Sequence, residues 1–195
     1  GLTSLKMPKG GVTLYAIFRK GVKATCYYVD SSTNAAKSSQ IQGYLYNNNT
    51  TASIKLPTIQ SISKNSLTWA GRGWSTSTSS SAGSLISSGG NVTISANTTY
   101  YASYSTTVTA TYNYYSGSAA TSTKQTATAY MDYKGTLVGG KPNTPTAPTI
   151  SGYTQRGWST SSAYNASTTT PGAITSNTSY YMSYSKQVSV KYNIN

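Results

Sequence analysis

Arg72-Gly73-Trp74-Ser75-Thr76-Ser77 recurs letter for letter as Arg156-Gly157-Trp158-Ser159-Thr160-Ser161, 84 residues further along a chain of 195. Six identical residues around a tryptophan, on a background of Ser and Thr, mark an internal repeat. A fixed self-similarity means that one supersecondary unit is used more than once. The correspondence spreads outward from the tryptophans. Tyr15-Ala16-Ile17-Phe18 matches Tyr101-Ala102-Ser103-Tyr104 and Tyr181-Met182-Ser183-Tyr184, and Val22, Val108 and Val188 each follow seven residues after the leading tyrosine.

Within each copy the apolar period is two, the mark of a strand with one buried face. Val108, Ala110, Tyr112 and Tyr114 alternate with Thr107, Thr109, Thr111 and Asn113; Val22, Ala24, Cys26 and Tyr28 form one sibling strand, and Val188, Val190 and Tyr192 the other. Cys26 takes the place of Tyr112 and is expected to behave as a buried apolar residue, free Cys being among the most buried types. The strand before it carries Leu14, Ala16 and Phe18, matched by Tyr100, Ala102 and Tyr104 and by Tyr180, Met182 and Tyr184; all of these are expected to face a core. Tyr15, Tyr101 and Tyr181 then point to the opposite face. A middle strand aligns Ser39–Tyr46 with Thr126–Tyr133. Pro57, Pro142, Pro145 and Pro148 mark extended leads into the Trp motif, where proline keeps the segment out of a central strand. Ser/Thr/Gly-rich loops of unequal length follow each motif, at 75–90 and 159–172. The only helix the sequence allows is a short one near Gln60–Ser66.

These patterns predict a mainly β chain of small modules in tandem. Residues 1–20 are expected to be the end of a preceding repeat, 21–106 and 107–187 two repeat modules, and 188–195 the first strand of a following one. The joins are short (Arg19-Lys20-Gly21, Ser105-Thr106, Ser185-Lys186-Gln187), which favours a semi-rigid rod over beads on a loose string.

Composition bears on chemistry. The chain has no His and no Glu, and its acids are Asp30 and Asp132 alone. General acid–base catalysis needs groups that titrate near neutral pH, and metal sites need clustered carboxylates or Cys/His sets. A non-enzymatic protein without cofactor or metal is therefore expected. One Cys cannot close an intramolecular disulfide. No apolar run reaches the roughly 18 residues of a membrane span. The net charge of +13 comes from 15 Lys and Arg against two acids. The bases are scattered, with a small cluster only at Arg19, Lys20 and Lys23, so the charge implies a mildly cationic surface able to meet an anionic polymer or glycan rather than a nucleic-acid site.

An aromatic (Trp69 or Tyr153), then Gly73-Trp74 or Gly157-Trp158, then a Ser/Thr-rich loop and a closing strand such as Val12-Thr13-Leu14-Tyr15-Ala16-Ile17-Phe18 or Thr99-Tyr100-Tyr101-Ala102, resembles the Listeria–Bacteroides repeat of the internalin B-repeat type. The resemblance covers nearly the whole chain. It implies a β-grasp-like module strung in tandem on secreted or wall-attached bacterial proteins, where neighbouring copies are partners and the array serves as a stalk, adhesin or filament segment. The near absence of acids and the longer modules depart from that pattern and leave open a phage virion surface protein, a head fibre or capsid decoration; a glycan-binding module is a third reading. Trp74, Trp158, Tyr101, Tyr181, Tyr104 and Tyr184 are the expected structural anchors, since an aromatic ring can bury about 150–250 Å². Trp69 and Tyr153 are the candidate ligand contacts.

Overall fold

The strand β7, Thr98–Ser116, organises the molecule: 19 residues long, it pairs with strands from both halves of the chain. The structure, a computed structural model, describes Gly10, residues 16–47 and residues 49–193. It is mainly β, with no helix among the described residues. The short helix allowed near Gln60–Ser66 is instead a hairpin of β4 (Ile62–Lys64) and β5 (Leu67–Ser75). Asn65 and Ser66 at its turn both have positive φ, the turn geometry that matches strand twist.

Strand β1 (Arg19–Val29) folds back on β2 (Ala36–Tyr46) in an antiparallel hairpin and runs parallel to the start of β7, with Ala24 beside Thr98. β5 then flanks β7 from the other side, Trp74 opposite Ala102. The second half of β7 repeats this pairing scheme. It folds back on β8 (Ala119–Met131), runs parallel to β11 (Thr178–Ser185) with Ala110 beside Thr178, and β11 is flanked by β10 (Thr154–Ser159), Trp158 opposite Met182. β3 (Ala52–Lys55) and β6 (Asn91–Ile94) form a small separate sheet, and β9 (Leu137–Val138) extends β8. An Asn side chain sets each parallel register: Lys23 N–H donates to Asn97 Oδ1 and Thr109 N–H to Asn177 Oδ1, both at 2.9 Å.

The alternation of the sequence becomes one continuous core. Val22, Ala24 and Cys26 of β1, Tyr100, Ala102 and Tyr104 of early β7, and Val108, Ala110 and Tyr112 of late β7 are all buried. Leu56, Ile59, Ile62, Trp69 and Trp74 cover one stretch of it; Ala147, Trp158, Ile174 and Tyr180 cover the other. The expected boundary between 106 and 107 falls inside β7, so the two regions share a strand and not a linker. Residues 141–150 form no strand, in keeping with their three prolines.

At the two ends the alternation does not translate into strands. Leu14 and Tyr15 lie outside the described residues. Ala16, Ile17 and Phe18 form no strand and are exposed, and Arg19 and Lys20 already belong to β1. Val188, Val190 and Tyr192 are likewise exposed outside any strand, and residues 194–195 are outside the described set. The reason is pairing. Val22 and Val108 sit in strands bonded on both sides, whereas residues 186–193 have no strand partner among the described residues.

Candidate functional site

Each copy of the six-residue motif builds a corner in which the strand bulges at its arginine. The β5–β7 register skips Arg72 between Gly71 and Gly73, and the β10–β11 register skips Arg156 between Gln155 and Gly157. Such a bulge leaves one residue unpaired and bends the strand. The glycine after the arginine is required by geometry. Gly73 has φ +151°, and a Cβ there would lie 2.5 Å from the Ile86 carbonyl oxygen; Gly157 has φ +129°, with Thr168 Cβ 3.3 Å away. The serines that follow close tight turns: Ser77 N–H donates to Ser75 Oγ at 3.0 Å and Ser161 N–H to Ser159 Oγ at 3.1 Å.

Both corner indoles are buried, Trp74 at 1% exposure and Trp158 at 7%. Trp74 exchanges two backbone bonds with Ile86, both at 2.8 Å, and its Nε1–H donates to the Pro57 carbonyl at 2.9 Å. The proline-led segment thus supplies the acceptor that a buried indole needs. Trp158 is held differently. Its edge meets the Tyr112 ring at 4.9 Å, and Tyr112 stacks on Tyr180 at 5.3 Å. In the first region Cys26 stands where Tyr112 stands in the second, so that aromatic stack is missing and the bond to Pro57 takes its place. Burial raises the Cys26 thiol to about 11, which keeps it a neutral packing residue.

Tyr104 is fully buried; its hydroxyl accepts from Val29 N–H at 3.1 Å, and burial pushes it up to about 12. Tyr184 is half-buried and its hydroxyl donates to the Tyr115 carbonyl at 3.5 Å. Tyr101 stacks on Tyr27 at 5.7 Å and tilts against Tyr133 at 4.6 Å, forming a half-exposed aromatic cluster with Lys37 and Lys134 at its edge. Tyr181 lines a surface groove instead. Trp69, one of the two candidate ligand contacts, requires correction: it is 0% exposed, and its Nε1–H donates to the Lys64 carbonyl, so no face is open to a ligand. Tyr153, its counterpart, is 46% exposed and lies beside Tyr181 and Tyr184 in a groove of about 680 Å³.

One participant was not legible in the sequence. Arg72 donates to the Ser80 carbonyl at 2.8 Å, to Ser103 Oγ at 3.1 Å and to the Ala82 carbonyl at 3.3 Å, and its guanidinium lies 4.8 Å from the Tyr130 ring. It clamps the Ser-rich loop to the sheet. The motif repeats it identically as Arg156, which is exposed, so the letters alone carry no sign of the difference.

The two acids hold turns. Asp30 Oδ1 accepts from the backbone N–H groups of Ser32 and Thr33, and Oδ2 pairs with Lys37 at 2.8 Å; that Lys37 bond, with those of Ser32 and Thr33, holds its carboxyl well below the usual range. Asp132 Oδ1 accepts from Lys134 and Thr136 N–H at 2.8 Å. Among the described residues no cluster of three His, Cys, Asp or Glu side chains forms, and no helix is long and apolar enough to cross a membrane. The arrangement is one of anchored aromatic corners on a shared sheet, with open grooves at Tyr101 and at Tyr153 and Tyr181. No protein-family model, no curated protein and no solved structure matches the chain.

Proposed function

We propose that the chain is a non-catalytic structural spacer, a tandem pair of β-grasp-like modules of the Listeria–Bacteroides type from an extracellular surface protein, serving as a stalk, adhesin or filament segment. The observation that carries this reading is β7, which is the closing strand of one region and the opening strand of the next without a break. At ~3.3 Å per residue its 19 residues give a contour of about 60 Å with no hinge. A spacer must transmit position along its length, and a shared, doubly paired strand does so where a Gly/Ser linker would not. The buried indoles weigh against a sugar-binding platform, which needs an open ring face.

Small-angle X-ray scattering tests the reading. A single extended envelope is expected, and a Gly-Gly-Ser-Gly insertion between Ser105 and Thr106 should broaden it. Scattering that already requires many relative orientations of 19–105 and 106–185 in the unmodified chain would defeat the spacer reading. Specific binding on a glycan array, lost on Trp158→Ala, would put the glycan-binding module in its place.

A further inference from the structure

Five tyrosines converge on one groove from four separate segments. Tyr115 stands near the end of β7, Tyr153 leads into β10, Tyr164 sits in the loop after β10, and Tyr181 and Tyr184 lie on β11. The groove holds about 680 Å³, inside the range of about 300–1,000 Å³ typical of small-ligand sites.

The backbone fixes these rings in place. Tyr184 donates its hydroxyl to the Tyr115 carbonyl, Tyr153 N–H donates to the Ile150 carbonyl at 3.1 Å, and Gln155 Nε2 donates to the Ala147 and Pro148 carbonyls. The loop that carries Tyr164 is closed on both sides. Ala163 N–H donates to Ser161 Oγ at 3.2 Å, and Ala166 N–H to the Ala163 carbonyl at 3.1 Å. Among the described residues, however, no two of the five rings stack on or tilt against each other. The Tyr101 groove is the opposite case. There Tyr27, Tyr101 and Tyr133 cover one another's faces at 4.6–5.9 Å, and Lys37 is tied to Asp30.

Charge and chemistry narrow the ligand. In a chain of net charge +13, the described residues that line the groove include no Lys, Arg or Asp; Lys186 Nζ stands outside the lining, 5.5 Å from the Tyr153 ring centroid. An ion entering here would lose hydration with no counter-charge to replace it. Ser118, Ser161 and Ser162 line the groove with the tyrosines, so flat rings and hydroxyl-bearing residues share one concave surface. An aromatic face is negative and attracts C–H bonds of slight positive charge. A pyranose whose substituents are all equatorial offers a face of C–H bonds alone, with its hydroxyls around the edge.

We propose that the groove binds an uncharged saccharide chain of β-linked, gluco-configured rings. Tyr115, Tyr153 and Tyr164, exposed at 49%, 46% and 89%, are its stacking platforms, and the serines meet the edge hydroxyls. The sequence marks Tyr153 as a candidate contact, and the fold adds the other two. Because the rings are already fixed, binding costs little ordering. The site is an addition to the spacer and does not rest on it: it uses open tyrosines, while the indoles stay buried.

Isothermal titration of the 195-residue chain with cellohexaose and with the hexamer of N-acetylglucosamine tests this, the two probes separating a glucan from a chitin-like chain. At least one should bind, with an affinity that salt leaves unchanged. Tyr153→Ala and Tyr164→Ala should each weaken binding about 2- to 10-fold, the range of one aromatic face contact. Tyr164→Phe, which keeps the ring, should stay near wild type, as should Tyr27→Ala and Trp158→Phe. Melting temperatures check that the variants fold. Failure of both probes, binding that salt weakens steeply, or binding indifferent to Tyr153→Ala and Tyr164→Ala would each overturn the site. Loss on Tyr27→Ala alone would move the sugar to the Tyr101 groove, and loss on Trp158→Phe alone to the indole corner; either also overturns it. Scattering from the unmodified chain reads the spacer separately, so each reading can fail without the other.

Discussion

Arg72 and Arg156 stand in the same six-residue sequence, at the same bulge, before the same glycine and tryptophan, yet one is a clamp and the other projects into solvent. Arg72 reaches the Ser80 and Ala82 carbonyls under the Tyr130 ring. Tyr130 belongs to β8, which is laid across the first region because β8 pairs with β7 from Tyr104 onward. Among the described residues no strand plays that part over Arg156. The same contrast runs through the neighbouring positions: Trp69 is buried and Tyr153 exposed, Ser103 is bonded and Ser183 orphaned. A motif therefore specifies its own corner, and the next element along the chain decides what the corner's outward side chains do.

The largest test of that contrast is removal of the indoles. Trp74→Ala and Trp158→Ala should each cost ~3–5 kcal/mol. Trp74 should fall at the upper end, because its loss also strands the Pro57 carbonyl that accepts from Nε1. Urea unfolding followed by circular dichroism measures both; a Trp158 variant less stable than the Trp74 variant would show that the Tyr112 stack outweighs the bond to Pro57.

The arginines come next. Arg72→Ala should cost about 1.5–3 kcal/mol, the range for hydrogen bonds to a charged group, while Arg156→Ala should stay within about 0.5 kcal/mol. Equal effects would mean that the clamp contributes nothing beyond the bulge itself.

Alkaline pH probes the Cys26 position, where the two regions differ in sequence. Burial raises the thiol from 9.0 to about 11 and Tyr104 from 10.0 to about 12. Over that window the unfolded chain has lost protons that the folded chain retains, so stability falls as pH rises from about 9. Cys26→Val should flatten the pH 9–11 part of the curve, and a thiol reagent should not react with the native protein at neutral pH. Reaction of the folded chain at pH 7 would contradict the burial of Cys26.

The smallest effect belongs to Asp30. Its carboxyl is held low by Lys37 and the turn hydroxyls. The stability it contributes is therefore complete above the ordinary carboxylate range and fades as pH falls through and below it. Asp30→Asn should lower the neutral stability slightly, towards its low-pH value, and so flatten the acid limb; an acid limb unchanged by the substitution would contradict this role of Asp30.

The β character, the buried alternation of Val22, Ala24 and Cys26 and of Val108, Ala110 and Tyr112, and the extended proline leads were all legible, because the pleat writes a period of two directly into the residues it buries. The same alternation at Val188, Val190 and Tyr192 misled, and so did Ala16 and Phe18, since a period describes a face and not the strand that must pair beside it. Gly73 and Gly157 were readable as repeated positions of the motif, while the close approach that excludes a side chain there appears only in the fold. By itself, then, the sequence determined the period, the corners and the scarcity of titratable groups. The tertiary structure alone decided that one strand serves both regions, that Trp69 is closed off while Tyr153 is open, and that one of two identical arginines is a clamp. Those outcomes depend on which distant element arrives beside a residue, and pairing between elements many residues apart leaves no mark in either one's local pattern.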